Sequence, residues 1–416
     1  MKDQAFTITF GNVALCELKE CKMESIKDKV AIVGMGCSQF GELWDKDIDD
    51  LIIDATDEAL ADVKIDIKDV QAAWVGSMNR RTGGTIASPL QLQYIPVTRV
   101  ENACASGYEA IRNAAFAVAA KVYDLVLVVG VEKIKDTGYG GLGPDYRAIK
   151  WHPVYEASVT PPGLYALSAT RYFSRYGLTR EEGKTMLAKI SVKSHHNGAR
   201  NPRAHLRSEV TVEQVVNAPM IAWPLGLYDC CGVTDGASTA ILCRAEDAKR
   251  YRDDYVTIKG VGVSVGPGSG RIRTDYDFTH WSETEHAARQ VYEQAGIKNP
   301  RKEIDLAECH DCFSIAELIA VESMGVCKKG HAKEDIDSGA WTQEGEIPIN
   351  LSGGLKSFGH PIGASGCREV YEIYKQIQGK AEEPSRQLKN PKLGLAHNQG
   401  GSPGRFMCAM CAIGAP

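Results

Sequence analysis

The sequence predicts an α/β protein made of two similar halves packed about a pseudo-two-fold axis, with a lobe inserted into the first half. The order strand, helix, strand, helix occurs in both halves. The segment 104–115, CASGYEAIRNAA, is echoed at 363–374 by GASGCREVYEIY, and each places Ala-Ser-Gly at the start of a buried helix. An internal repeat of this kind indicates duplicated units. Their two equivalent helix N-termini would lie close together and could share a site.

The first half follows from its apolar runs. An N-terminal extension, 1–28, contains Cys16 and Cys21 and precedes the first clear core strand. We place the first half at 29–254, and the inserted lobe, rich in aromatic residues and turns, at about 133–233. Continuous apolar runs predict buried strands, and helical spacing of apolar residues predicts helices. The predicted elements are strand 29–36, helix 47–63, strand 72–77, helix 106–122, strand 124–132, two helices in the lobe, and strand 235–247.

The second half, 255–416, repeats the pattern. Its predicted elements are strand 255–266, helix 282–296, strand 304–312, a helix from 313, a helix after the Gly-His-Pro turn at 359–361, and strands over 392–401 and 405–414. Each central helix is followed by a strand that ends in glycine, as in the first half.

Composition narrows the class of protein. The chain has 416 residues, a mass of 45.2 kDa, 44% hydrophobic and 24% charged residues, and a net charge of −5. This size suggests two domains or one large fused domain. The acidic balance argues against nucleic acid as a partner. No apolar run reaches the length of a membrane helix and the N-terminus lacks a signal-peptide core, so we expect a cytoplasmic protein without a membrane partner.

The 13 cysteines are scattered through the chain, and several lie in apolar strands. Most are therefore expected to be reduced, buried thiols. Cys408 and Cys411 form a C-x-x-C, but on a strand their side chains would point to opposite faces.

Cys104 is a candidate nucleophile. It lies directly before an apolar helix, where the helix dipole and unpaired backbone N–H groups favour a thiolate. The small residues that follow it would let a substrate approach. The alternative is that Cys104 is one more buried thiol.

His360 occupies the equivalent place in the second half, within LKSFGHPIGASG. The Gly-His-Pro run makes a tight turn into a helix, which fixes the backbone of the histidine. An isolated histidine is more often a simple core or surface residue. A Cys104–His360 pair at the axis would instead form an activated nucleophile with its general base.

The segment AECHDCF, 307–313, has three interpretations: a redox-active cysteine pair, part of a metal-binding site, or part of an active site. On a strand, His310 and Cys312 would share one face while Cys309 and Asp311 point the other way. This separates the two cysteines and pairs an acid/base group with a hydrogen-bonding group. No second C-x-x-C has a four-ligand spacing, so we expect no metal.

The glycine-rich turn LAHNQGGSPG, 395–404, follows a predicted strand. It is either a simple β-turn or a set of backbone N–H groups that bind an oxyanion.

Four ordered motifs, NACASG, HDCF, GHPIGASG and HNQGG, together resemble the thiolase superfamily, in particular its sterol-carrier-protein-like branch. The resemblance covers residue 29 to the end. It implies a five-layered α-β-α-β-α fold. It also implies an acyltransferase that cleaves a 3-oxoacyl-CoA with coenzyme A as substrate, without a prosthetic group or a metal.

The resemblance also implies roles for individual residues. Cys104 would carry the acyl group as a thioester and His360 would activate it. The usual second cysteine is absent from HNQGG, so Cys312 would be the second acid/base. His310 would take the oxyanion-hole role of the usual asparagine. Gly400 would form a second oxyanion hole with the N–H of Cys104, supported by Asn398.

The inserted lobe would hold coenzyme A. A basic cluster there could meet the CoA phosphates or could equally be a solvated helix face: His195, His196, Arg200, Arg203 and Arg207. Family members are usually dimers or tetramers, so we expect a homo-oligomer. Some relatives with HDCF work with a small OB-fold, zinc-ribbon subunit, which is a candidate partner.

The substrate is not fixed by any motif. The sequence as a whole resembles the thiolase subunit that cleaves benzoylsuccinyl-CoA in anaerobic aromatic degradation. Five aromatic residues could line an aryl pocket or could be core: Tyr139, Trp151, Tyr155, Tyr165 and Trp223. The alternatives are a biosynthetic acetoacetyl-CoA thiolase, another Claisen-type acyltransferase, and a non-catalytic lipid-binding homologue.

Overall fold

The structure is a computed structural model that describes residues 24–79, 82–137 and 160–416. The strands are β1 (Val30–Cys37), β2 (Ala72–Gly76), β3 (Val97–Val100), β4 (Leu125–Glu132), β5 (Met220–Ala222), β6 (Leu225–Gly226), β7 (Gly236–Arg244), β8 (Val256–Val265), β9 (Leu306–Cys309), β10 (Leu393–Gly400) and β11 (Met407–Gly414).

The helices are α1 (Ile48–Val63), α2 (Gly84–Ala87), α3 (Ser106–Ala119), α4 (Pro161–Arg175), α5 (Arg180–Ala199), α6 (Val212–Val216), α7 (Ser269–Ile272), α8 (Ser282–Ala295), α9 (Pro300–Glu303), α10 (Ser314–Ser323), α11 (Ala332–Ser338), α12 (Gly354–Ser357) and α13 (Ser365–Ile377). Within the described ranges, none of these helices is both long enough and apolar enough to cross a membrane.

Strand order shows the duplication. Among the described residues the long strands follow the order β3-β2-β4-β7-β1-β8-β11-β10-β9. The two halves meet where β1 lies beside β8. From this junction outward, the first strand of each half comes first, its last strand second, and its remaining strands after that. The last strand of each half pairs antiparallel on both sides, while β2–β4 and β9–β10 are parallel. The predicted pseudo-two-fold arrangement is confirmed.

The layers follow from which helices cover which faces. Helix α1 covers the outer face of the first half, and α8 covers the outer face of the second. Helices α3 and α13 contact strands of both halves, so they form the central layer. In β4, Leu125 and Leu127 pack on the α1 side, whereas Val126 and Val128 face the central helices. Burial of both faces explains the continuous apolar runs of these strands.

The two central helices touch at their N-termini. A Cβ atom on Gly107 of α3 would lie 2.7 Å from the carbonyl oxygen of Gly363, and one on Gly366 of α13 would lie 2.8 Å from the Tyr108 nitrogen. Both distances are too short for a carbon atom, so only glycine permits this approach. The repeated Ala-Ser-Gly therefore marks the contact that brings the two halves of the site together.

Local signals set several helix ends. The Asp47 side chain accepts hydrogen bonds from the backbone N–H groups of Asp49 and Asp50, which starts α1. In the inserted lobe, Thr160 caps α4 ahead of a proline pair, and Thr179 caps α5. Helix α5 packs on α10, α11 and α12 of the second half. The lobe therefore lies against the half to which it does not belong in sequence.

One strand is shorter than predicted. The strand expected over 304–312 ends at Cys309. His310 still donates its N–H to the His397 carbonyl oxygen of β10 at 2.9 Å, but the next two residues bond outside the sheet. The Cys312 carbonyl oxygen accepts a hydrogen bond from the Cys231 N–H at 2.9 Å, and the Asp311 carboxylate accepts one from the Leu355 N–H. Cys408 and Cys411 of β11 pack into different core clusters, as strand alternation predicts.

Some predictions lie outside the described residues. These are the extension up to residue 23, with Cys16 and Cys21, and three aromatic residues of the lobe, Tyr139, Trp151 and Tyr155. The boundaries at 28/29 and 254/255 stay predictions.

Candidate active site

Cys104 lies two residues before α3, in a turn that its neighbours hold. The Ser106 hydroxyl donates a hydrogen bond to the Ala103 carbonyl oxygen at 2.6 Å and accepts one from the Asn102 N–H at 3.0 Å. Ala103 adopts a left-handed backbone, φ 50°, which is uncommon for alanine. The turn places the Cys104 thiol at the N-terminus of the central helix, as predicted.

His360 is held by its own turn. The Ser365 hydroxyl donates to the Pro361 carbonyl oxygen at 3.0 Å, so it accepts the hydrogen bond from the Nδ1–H of His360 at 2.7 Å. With the proton on Nδ1, the other ring nitrogen, Nε2, carries a lone pair. His360 therefore has the tautomer that a general base requires.

His310 is held by a buried chain of three side chains. The Asn398 amide nitrogen donates to Glu369 Oε1 at 2.9 Å. The Asn398 amide oxygen is then the acceptor for His310 Nδ1, at 3.0 Å. Asn398 and Glu369 are fully buried, and His310 is 1% exposed. In this arrangement Nε2 of His310 also carries a lone pair.

Three functional atoms converge at the axis. The Cys104 sulfur and one ring nitrogen from each of His310 and His360 all lie within 4.8 Å of one another. The two imidazole rings meet edge to face, with centroids 5.2 Å apart. A Cβ atom on Gly400 would lie 2.5 Å from the Cys104 nitrogen, so the end of β10 passes directly beside the backbone of Cys104.

A cavity of about 160 Å³ opens onto these atoms, and Cys312 is part of its wall. The Tyr165 hydroxyl, from α4 of the inserted lobe, interacts with Cys312 and Gln399. The described residues that line the cavity include Met78, Ala103, Cys104, Ile134, Pro161, Tyr165, Cys231, Val233, His310, Cys312, Phe313, His360, Ile362, Gln399 and Gly401.

The remaining members of AECHDCF point elsewhere. The Cys309 sulfur lies 3.6 Å from the Asn350 amide nitrogen in a buried site, away from the cavity. All cysteines in the described part of the chain are free thiols. The two cysteines of this motif are therefore separated, although the strand used to predict their separation ends before Cys312.

Electrostatics keep the resting site neutral. Burial raises the pKa of the Cys104 thiol to about 12, and the Glu132 carboxylate adds to the rise. Burial therefore outweighs the helix N-terminus, and the thiol must lose its proton to a base as it attacks. Burial lowers the pKa of His310 to about 3 and holds that of His360 well below its ordinary value. Both imidazoles are neutral and able to accept a proton.

The predicted CoA contacts are scattered, and several are already paired. His195 is 3% exposed and its Nδ1 bonds to the Ser208 carbonyl oxygen at 3.2 Å. Arg203 forms ion pairs with Glu58 at 2.7 Å and Glu382 at 3.0 Å.

The other members of this basic cluster differ in exposure. Arg200 donates to Gln343 at 3.1 Å, His196 contacts Glu209 at 2.9 Å, and Arg207 is exposed. None of the five residues lines the cavity described above.

Sequence reasoning missed several site residues. Cys231 and Gln399 line the cavity, and Glu369 anchors Asn398. Gln399 stands inside the HNQGG motif, and Glu369 follows GASG by three residues, so position in a motif was the available signal. Of the predicted aromatic residues, Tyr165 reaches the cavity, whereas Trp223 is 44% exposed elsewhere on the lobe.

A thiol beside a neutral imidazole base at paired helix N-termini defines a cysteine-dependent acyl-transfer enzyme. Residues 30–246 match the family model described as thiolase, N-terminal domain, and residues 268–410 match thiolase C-terminal domain-like. The chain belongs to the thiolase family and is an acyltransferase.

Relatives agree with this assignment. An acetyl-CoA acetyltransferase of Methanothermobacter thermautotrophicus is 39% identical over 386 residues, covering 90% of this chain and 97% of that protein. The benzoylsuccinyl-CoA thiolase subunit BbsB of Thauera aromatica is 34% identical over 387 residues, covering 90% and 96%.

Solved structures share the fold. An Ltp2-ChsH2(DUF35) aldolase has a TM-score of 0.82 at 23% identity, covering 94% of this chain and 99% of that one. Human mitochondrial 3-ketoacyl-CoA thiolase has a TM-score of 0.68 at 18% identity, covering 94% and 100%.

Proposed function

We propose that this enzyme cleaves a 3-oxoacyl-CoA with coenzyme A through an acyl-enzyme on Cys104. The observation that carries the proposal is the convergence of the Cys104 sulfur with ring nitrogens of His310 and His360 within 4.8 Å, beside a cavity that Cys312 also lines. This set supplies a nucleophile, a base and a second acid/base. The reaction uses these side chains, with coenzyme A as substrate.

The steps follow from the protonation states. The Cys104 thiol passes its proton to Nε2 of His360 as its sulfur attacks the 3-oxo carbonyl. Backbone N–H groups of Cys104 and Gly400 stabilise the resulting oxyanion. The C–C bond breaks, the acyl group stays on Cys104, and Cys312 protonates the departing carbanion. The thiol of a new CoA then attacks the thioester, gives its proton to Cys312 and releases Cys104.

The departing enolate needs hydrogen-bond donors. His360 donates once it holds the Cys104 proton. His310 can donate from Nε2 in its other tautomer, in which Nδ1 has given up its proton, Nε2 has gained one, and the Asn398 amide is turned so that its nitrogen donates to Nδ1. Burial holds the pKa of Glu369 well above its ordinary value, and in its carboxyl form Glu369 can donate to the turned amide oxygen.

A short acyl group fits the cavity best. A cavity of about 150 Å³ accommodates benzene, and this one measures about 160 Å³. No lysine or arginine occurs among the described residues that line it, so none of these residues offers a cationic partner to a second carboxylate on the acyl chain. The relative named acetyl-CoA acetyltransferase supports the same choice. We therefore propose acetoacetyl-CoA as the representative substrate.

An aromatic substrate is the second candidate. The rings of Tyr165 and Phe313 lie 4.7 Å apart in the cavity wall and offer a surface for an aryl group. The relative named for benzoylsuccinyl-CoA supports this alternative.

We propose two kinds of protein partner. Strand β3 is the edge of the sheet and is only partly buried, so it could pair with a second copy of the chain. A small OB-fold subunit would supplement the CoA contacts, since the predicted basic residues are largely paired within the chain. A neighbour in fold whose name includes DUF35 is in keeping with such a subunit. The cytoplasmic location stays a prediction.

Mass spectrometry of the intact protein tests the proposal. Incubation with acetyl-CoA should add one acyl group, located on Cys104, and benzoylsuccinyl-CoA with CoA should be a poor substrate. Cys104→Ala should carry no acyl group. Cys312→Ala should still be acylated by acetyl-CoA but should not cleave acetoacetyl-CoA, because carbanion protonation is lost.

Cys243→Ala is the matched control, since Cys243 is fully buried in β7 on the α1 side of the first half. It should behave as the wild type. Thiolysis by Cys104→Ala, or acylation of a different residue, would refute the assignment. Faster cleavage of benzoylsuccinyl-CoA than of acetoacetyl-CoA would favour the second candidate.

A further inference from the structure

The three converging atoms of the active site are also a set of metal ligands. Cysteine sulfur and imidazole nitrogen are the ligands that zinc prefers, and one cysteine with two histidines leaves a fourth position open. We propose that Cys104, His310 and His360 bind one Zn²⁺ ion reversibly, and that the bound ion blocks acylation. The enzyme would therefore be inhibited by free zinc.

Both imidazoles are prepared as ligands. Ser365 holds the proton of His360 on Nδ1, and Asn398 does the same for His310. Each ring therefore has its Nε2 lone pair free. A histidine that binds metal through one nitrogen and donates through the other is the usual arrangement in metal sites, because the second bond fixes the ring and its tautomer.

The geometry requires a contraction of the ligand set. Tetrahedral Zn²⁺ with Zn–S near 2.3 Å and Zn–N near 2.0 Å places such sulfur and nitrogen atoms about 3.3–3.5 Å apart. The three atoms here lie within 4.8 Å of one another, so they must approach by up to about 1.5 Å. Rotation of the Cys104 side chain, which borders a cavity of about 160 Å³, contributes to this movement.

An ion can reach the site from the surface. Cys104 is partly exposed, and the cavity runs from it to the surface. No lysine or arginine occurs among the described lining residues. Binding forms a Zn–S bond while the thiol proton leaves to buffer, so one of the two positive charges is neutralised by the thiolate. Cys312 lines the same cavity, so the fourth position takes either water or that thiol.

The ligand types favour zinc over the alkaline-earth ions. Mg²⁺ and Ca²⁺ prefer carboxylate and carbonyl oxygens, and none of the three ligand atoms is an oxygen. The consequence is inhibition, because a sulfur bound to zinc cannot attack a carbonyl. Substrate and Zn²⁺ compete for Cys104, so each should weaken the binding of the other.

Calorimetry of the metal-free, full-length protein with Zn²⁺ tests this without any acyl-CoA, so its result does not depend on the proposed reaction. We expect one ion per chain, with no comparable binding of Mg²⁺. Cys104→Ala and His310→Ala should abolish this binding. Asn398→Ala should weaken it about 10–100-fold, as for other residues that orient a metal-binding histidine.

Cys231→Ser is the matched control, since Cys231 is a thiol of the same cavity but lies outside the cluster. It should retain one zinc ion per chain. In the wild type, Zn²⁺ should protect Cys104 from iodoacetamide, and a chelator should restore its reactivity. Unchanged stoichiometry in Cys104→Ala, or alkylation of Cys104 at saturating Zn²⁺, would overturn the proposal.

Discussion

Asn398 links the active site to the protein interior, and Asn398→Ala should show how much that link contributes. The Asn398 side chain is fully buried and bridges His310 Nδ1 at 3.0 Å to Glu369 Oε1 at 2.9 Å. Alanine removes both hydrogen bonds at once. It leaves an imidazole nitrogen and a carboxyl oxygen without those partners in a buried site.

The expected cost follows from those two atoms. A buried polar group left without a hydrogen bond costs about 1–3 kcal/mol, so the pair costs about 2–6 kcal/mol of unfolding free energy. The other Glu369 oxygen already lacks a hydrogen-bond partner among the described residues. The Tyr108 hydroxyl interacts with this carboxyl group and is the described group that could partly compensate.

Urea denaturation measures the free energy of unfolding, and steady-state thiolysis measures function. Asn113→Ala is the control, since Asn113 makes one part-buried bond, to the Glu109 carbonyl oxygen at 2.7 Å, and should cost about 0.5–1.5 kcal/mol. In Asn398→Ala, kcat should fall more than KM rises, because His310 loses its fixed tautomer and orientation. A loss of stability no larger than that of Asn113→Ala, with unchanged kcat, would refute this reasoning.

Two further predictions concern packing and pH. Gly107→Ala places a carbon 2.7 Å from the Gly363 carbonyl oxygen, so it should lower the free energy of unfolding by about 1–3 kcal/mol and remove most of the activity. Gly41→Ala is the control and should have a mild effect, because the nearest atom to its new carbon lies at 3.4 Å. Equal effects of the two substitutions would contradict the contact between the two helices. Burial lowers the pKa of His397 from 6.5 to about 3. Between those pH values only the unfolded chain binds this proton. The contribution of His397 to stability is therefore complete above pH 6.5 and is lost as the pH falls. The stability difference between wild type and His397→Gln should therefore shrink by about 2 kcal/mol from pH 7 to pH 5 in urea titrations, and a constant difference would show that His397 titrates normally in the fold.

Local sequence patterns predict many of the helices and strands. The spacing of apolar residues predicts α1 almost to its ends, and the apolar runs predict β4 and β7. In these elements the buried faces consist of apolar residues whose spacing can be recognised in the sequence. The strand before His310 was predicted too long, because backbone N–H groups of distant segments bind the Asp311 side chain and the Cys312 carbonyl oxygen, and such contacts leave no local signal.

The sequence by itself indicated the two-halved α/β fold and the candidate residues Cys104, His310, Cys312 and His360, because each stands in a short motif that resembles those of a known family. Only the tertiary structure decided how they work together. The glycine contact between α3 and α13 sets their distance, and Glu369 and Asn398, remote from His310 along the chain, set its tautomer. The distances between these residues and their burial depend on which segments of the chain pack against each other. The same burial raises the pKa of the Cys104 thiol, although the helix dipole acts to lower it.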